Sequence, residues 1–154
     1  MTAWTGTLGT QPAGTKVSST VLGTWHDALA GLTDPWTTFT PGLTNVTLGN
    51  GTMNASYLQA NKLVLFKISL TFGSTTAFTG APRFGLPVAA IDSIAVMPCI
   101  LYDNSNPATR GPGICTLNAS TLVPYGNGGD VTATVPFVWA VSDVFRVTGA
   151  YEAA

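Results

Sequence analysis

Between Lys62 and Phe72 the sequence KLVLFKISLTF puts Val64, Phe66, Ile68, Leu70 and Phe72 on one side of an extended chain and Leu63, Leu65, Lys67, Ser69 and Thr71 on the other. A period of two sustained over this length belongs to a strand, because a helix would bring apolar residues back every three or four positions. A strand with one wholly apolar face has to cover that face, so the segment commits the chain to a sheet with a core behind it. The rest of the composition agrees. Only 8% of the 154 residues are charged, there is a single glutamate (Glu152), and threonine, at 24 residues, is abundant. Exposed helix faces usually carry Glu, Lys and Arg, whereas Thr suits a pleated, half-solvated strand surface. A domain of this length buries roughly 70% of the surface of its unfolded chain, so it folds around a core without staples.

Further strands are expected on the same grounds. WTTFT (36–40) and LTNVTL (43–48) lead into Gly49-Asn50-Gly51, which reads as a tight hairpin with MNASYL (53–58) as its return strand. Shorter strand candidates lie at 82–87, 93–102, 113–117 and 120–125. Val131, Ala133, Val135, Phe137 and Trp139 alternate again, with Pro136 marking an edge strand because it cannot donate to a ladder. After a turn at Ser142-Asp143, Phe145, Val147 and Tyr151 share a face. Many short strands separated by turn signals every 8–12 residues indicate a sandwich or jelly roll.

The beginning of the chain reads differently. Gly6, Gly9, Pro12 and Gly14 break any period in residues 1–17, leaving an extended arm with Trp4 and Leu8 as its anchors. Ser18 or Ser19 can cap a helix of about 19–31 in which Leu22, Trp25, Leu29 and Leu32 recur at helical spacing, and Pro35 ends it. Gly23 inside that helix costs roughly 1 kcal/mol relative to Ala, so its Leu/Trp stripe must be held by packing. The expected fold is all-β: an antiparallel β-sandwich of jelly-roll type (41–154), preceded by an anchoring arm with one short helix (1–40).

Chemistry is sparsely provided for. Six basic residues, Lys16, Lys62, Lys67, Arg83, Arg110 and Arg146, stand singly in a chain of net charge −1, which argues against nucleic acid as a partner. No apolar run approaches the 18 residues of a membrane helix, and the start lacks a signal-peptide pattern, so synthesis and retention in a cytoplasm are expected. The single histidine, His26, has Asp27 beside it on a different side of the helix, and no nucleophile elbow accompanies it. Asp92, Asp103, Asp130 and Asp143 fall in turns, where Asp serves the backbone. Catalytic residues, cofactors and metals are therefore not expected. Cys99 and Cys115, in apolar surroundings, are either buried reduced thiols or one incidental bridge. The sequons at Asn45, Asn50, Asn54 and Asn118 read as by-products of an Asn/Thr-rich β sequence.

Taken together, WHDALAGLTDPWTTFTP, LTNVTLGNGTMNASYLQANKLVLFKISLTFGSTTAFTG and VPFVWAVSDVFRVTGAYEAA resemble the small virion structural proteins of tailed bacteriophages, notably those of actinobacterial hosts, described as capsid decoration, head-fibre or minor tail proteins. The resemblance covers roughly residues 18–86 and 131–154. It implies a β-rich domain, a homotrimer, attached to the major capsid protein on the outer surface of the virion, with loops 73–81, 103–113 and 126–130 facing outward. Trp4, Leu8, Leu22, Trp25, Leu29, Leu32 and Trp36 are the residues expected at the attachment or intersubunit interface. The competing expectations are a tail or baseplate protein that binds host-surface glycans, and a free carbohydrate-binding module.

Overall fold

The structure, a computed structural model, describes residues 35–106, 111–126 and 128–154. The arm and the helix expected over about 19–31 lie outside the described residues, as do His26, Asp27 and Arg110. Among the described residues there are ten strands: β1 (Thr37–Thr38), β2 (Leu43–Thr47), β3 (Thr52–Ala60), β4 (Leu63–Thr71), β5 (Ala77–Gly85), β6 (Val96–Tyr102), β7 (Gly111–Asn118), β8 (Thr121–Gly126), β9 (Gly129–Asp130) and β10 (Val144–Glu152). All pairings are antiparallel, and no helix occurs among the described residues. The strands join edge to edge in the order β1-β3-β4-β10-β6-β7-β8-β5-β2, with β9 added on β8. The all-β antiparallel class is thus as the sequence indicated, carried by one continuous sheet that curls into a half-barrel around its apolar side.

The strongest strand in the sequence lies in the interior of this sheet, third along its path. β4 pairs with β3 along one side and β10 along the other, each over nine residues. Val64, Phe66, Ile68, Leu70 and Phe72 are all buried, and so are Phe145, Val147 and Tyr151 of β10. In the opposite wall Phe78 and Phe84 of β5 and Leu122 of β8 complete one core. Removal of this much apolar side chain from water, at about 25 cal/mol per Å², is the main term favouring the fold.

Three expectations are corrected. The run around Gly49-Asn50-Gly51 is not a hairpin: β2 pairs with β5 and β3 with β4, so this turn carries the chain from one end of the sheet to the other. Turn residues permit a reversal but do not choose the partner; the inward residues Leu43 and Val46 are met by Phe84 and Phe78 of β5. Residues 131–139 form no strand. Pro136 offers no N–H, and Thr132 N bonds locally to Val135 O at 3.1 Å, while Val131 and Phe137 turn into the core and Trp139 stacks on Phe72 at 4.7 Å. Finally, residues 77–81 belong to β5 and 111–113 to β7, and β9 occupies 129–130, so the expected outward loops are shorter than supposed.

Two turns lock together where β2 leads to β3 and β4 leads to β5. Asn50 is the hub: its N–H donates to Thr75 Oγ1 at 2.9 Å, its Oδ1 accepts from Thr75 N at 2.9 Å, and its Nδ2 donates to Ser74 Oγ at 3.0 Å. Thr76 Oγ1 donates to Leu48 O at 2.6 Å. The fit leaves no room for side chains: a Cβ on Gly49, which has a positive φ of 54°, would collide with Thr75, and one on Gly73 with Asn50.

Candidate functional site

A strand buries alternate residues, so the inward side chains of β4 and β10 leave Lys67, Ser69, Arg146 and Thr148 on the outer face. The register then sets out two rows across the sheet. One runs Thr38, Ser56, Lys67, Thr148, and the other runs Asn54, Ser69, Arg146, Ile100, Pro112. The outer face has a polar half on β1, β3, β4 and β10 and an apolar half on β6 and β7.

The polar half contains a shallow groove of about 300 Å³, lined by Thr38, Asn54, Ser56, Lys67, Ser69, Arg146 and Thr148 among others. Lys67 and Arg146 are diagonal neighbours on adjoining strands. Arg146 is oriented by donation from Nε to Ser69 Oγ at 3.3 Å, and the Lys67 ammonium lies 4.7 Å from the centroid of the Trp36 ring. Such a cation–π contact is worth about 0.5–1 kcal/mol at an exposed site. No Asp or Glu lines the groove, and neither Lys67 nor Arg146 forms an ion pair among the described residues, whereas Lys62 lies 3.7 Å from Glu152.

In the apolar half, Val96, Ile100 and Ile114 are 60%, 55% and 50% exposed. Pro98 faces Ile114 and Ile100 faces Pro112 across β6 and β7, so the five side chains form a continuous ribbon. Exposed Ile94 extends it beyond the start of β6. Single exposed apolar residues are commonplace on protein surfaces; a contiguous row of them on one sheet face is an apolar patch of the kind found at interaction surfaces.

Of the interface residues expected from the sequence, Trp36 alone is described. It is 42% exposed, and its ring carries Lys67. Trp4, Leu8, Leu22, Trp25, Leu29 and Leu32 lie outside the described residues. The sequence signal for the outer-face residues of β6 is in VMPCILY. Its apolar residues occupy both parities, Met97, Cys99 and Leu101 as well as Val96, Pro98 and Ile100. That pattern puts apolar side chains on both faces of the strand, where an antiparallel sheet usually keeps one face polar.

Three aspartates elsewhere bond to backbone N–H groups. Asp143, fully buried, accepts from Asn104 N at 2.9 Å and Ala140 N at 2.6 Å. Asp103 Oδ1 accepts from Ser105 N and Asn106 N, each at 2.9 Å, and Asp92 Oδ1 from Ile94 N at 3.2 Å. Cys99 and Cys115 are free, buried thiols on β6 and β7. The Cys99–Gly113 and Met97–Cys115 pairs make them diagonal neighbours on the inner face. Their mutual hydrogen bond, together with burial, pushes the Cys115 thiol up, and the same bond holds Cys99 below its ordinary value. Among the described residues no three His, Cys, Asp or Glu side chains gather in a way that would hold a metal ion. No protein-family model, curated protein or solved structure matches the chain.

Proposed function

We propose that this chain is a structural protein of a bacteriophage virion, a capsid decoration protein that binds the assembled shell and strengthens it through protein–protein contacts. The observation that carries the reading is the exposed ribbon of Val96, Pro98, Ile100, Pro112 and Ile114 on β6 and β7. It gives a low-charge chain an apolar surface to place against a neighbour. In this reading the curled sheet is the sandwich-like, displayed body, assembled as a homotrimer. Trp4, Leu8, Leu22, Trp25, Leu29, Leu32 and Trp36 supply attachment or intersubunit contacts, and the ribbon adds to the attachment to the major capsid protein. A ligand that binds only the assembled shell stabilises it by mass action, and a durable attachment needs about 1,000 Å² of interface or more.

The test is co-sedimentation of the full-length protein with expanded shells, together with a count of its copies per particle. Hundreds of copies per virion, and loss of binding on Ile100→Lys with Ile114→Lys, are the expected results. A dozen copies or fewer places the protein in the tail, and unchanged shell binding by the double variant removes the ribbon from the interface.

A further inference from the structure

We propose that the groove on β1, β3, β4 and β10 is a binding site for a carboxylate-bearing saccharide, an oligouronate, whose acid group is held between Lys67 and Arg146. The inference is independent of where on a virion the protein sits. It starts from an electrostatic imbalance. Two cations occupy diagonal positions on adjoining strands, with no acidic residue in the lining and no ion-pair partner among the described residues. Like charges so placed repel one another, and a sheet face relieves that repulsion when an anion lies between them. Arg146 is held by Ser69 with its fork still available, and a guanidinium grips a carboxylate through two parallel hydrogen bonds.

The surface that the groove exposes is mostly apolar, with few polar groups set in it, so it offers contact to the C–H face of a sugar ring and hydrogen bonds at only a few points. Thr38, Ser56, Ser69 and Thr148 contribute hydroxyls and Asn54 an amide, all on the outer face. Hydroxyls and amides both donate and accept, so they match the ring hydroxyls of a sugar. An acidic peptide would present chiefly backbone amides and methylenes to the same groove. The volume of about 300 Å³ lies at the small end of ligand sites and suits one or two sugar rings lying along the strands. Trp36 acts as a positioning residue. Its ring fixes the Lys67 ammonium at the rim and reduces the side-chain entropy that binding would otherwise cost.

The experiment titrates the ¹⁵N-labelled full-length protein with tetragalacturonate and with a glucuronate-containing tetrasaccharide. A neutral tetrasaccharide and tetraglutamate serve as controls. The expected result is shifts of the amides of residues 54–56, 67–69 and 146–148 with at least one uronate. Affinity should fall at least tenfold in the Lys67→Gln/Arg146→Gln double variant and decline with added salt. Both side chains are solvent-exposed, so the variant should stay folded with a melting temperature at most a few degrees lower, as loss of the Lys67–Trp36 contact allows, and this is measured alongside. Three results overturn the proposal: no shift at these residues with either uronate, equal binding of the neutral sugar or of tetraglutamate, or unchanged uronate affinity in the double variant.

Discussion

Phe84 of β5 and Phe145 of β10 stack with their ring centroids 4.8 Å apart and their planes within 13° of parallel, although β6, β7 and β8 separate their strands in the sheet. Neighbouring strands lie about 4.8 Å apart, so in a flat sheet the two rings would stand about 19 Å from each other. Their contact therefore measures the curl of the sheet. Twist brings β5 round to face β10, and the two rings close the interior between them.

If this stack closes the core, Phe145→Ala should cost about 3–5 kcal/mol, the range for a buried Phe truncated to Ala. Phe84→Ala should cost a similar amount. The double variant should cost less than the sum of the two, because the first truncation already removes the ring contact. Urea unfolding of the four proteins measures this. Strict additivity would mean that the two rings contribute through separate environments and that the sheet is less curled than described.

Asp143 ties two loops to the end of the sheet. Its carboxylate takes the N–H groups of Asn104 and Ala140, while its own carbonyl accepts from Phe72 N at 2.9 Å. Asp143→Ala should destabilise by about 2–4 kcal/mol, since it leaves two part-buried backbone donors without their acceptor. Asp143→Asn keeps the volume and one acceptor oxygen and should cost about half as much. Thermal melts of both variants check the order; an Asn variant as damaged as the Ala variant would place the effect in charge and not in acceptor count.

The core was legible in the sequence because burial and strand period are local signals. Val64 to Phe72 needed no knowledge of partners to be assigned inward. Pairing was not legible in the same way. Gly49-Asn50-Gly51 satisfies the backbone demands of a hairpin and of a crossing between sheet ends equally well, and only the long-range fit of Leu43 and Val46 on β5 decides. Residues 131–139 alternate like a strand, yet Pro136 and the aromatic nest of Phe72, Phe78, Phe137 and Trp139 take precedence. The outer-face groove is not legible in the sequence, because its residues come from four strands and acquire meaning only through register. Lys67 and Arg146, 79 residues apart, look like isolated charges until β4 and β10 are laid side by side.

Asn50 offers a test of that crossing. Asn50→Ala removes its side-chain bonds to Thr75 and Ser74 while leaving its N–H bond to Thr75 Oγ1. These contacts are exposed, so the global cost should be only about 1–2 kcal/mol. The local effect should be larger: hydrogen exchange at Thr75 N, which loses its acceptor, should accelerate well beyond that of the amides of β4. Equal acceleration throughout β4 would show that the two turns open only with the whole sheet.

Tyr151 contributes to the loss of stability at alkaline pH. Its hydroxyl donates to Val88 O at 2.7 Å, and burial raises the phenol above its ordinary value. Below about pH 10 the folded and unfolded chains both carry the neutral phenol, and its contribution to stability is fully present. Above that value the unfolded chain releases the proton first, so the folded state holds more protons and stability falls as pH rises through the folded value. Tyr151→Phe should cost about 1 kcal/mol at pH 7 through the lost bond to Val88 O. It cannot ionise, so the gap between parent and variant should shrink as pH climbs past 10. Urea midpoints at pH 7, 9 and 11 measure the trend. A gap that stays constant or widens at pH 11 would mean that Tyr151 ionises as readily in the folded protein as in the unfolded chain, and that the bond to Val88 does not hold the proton.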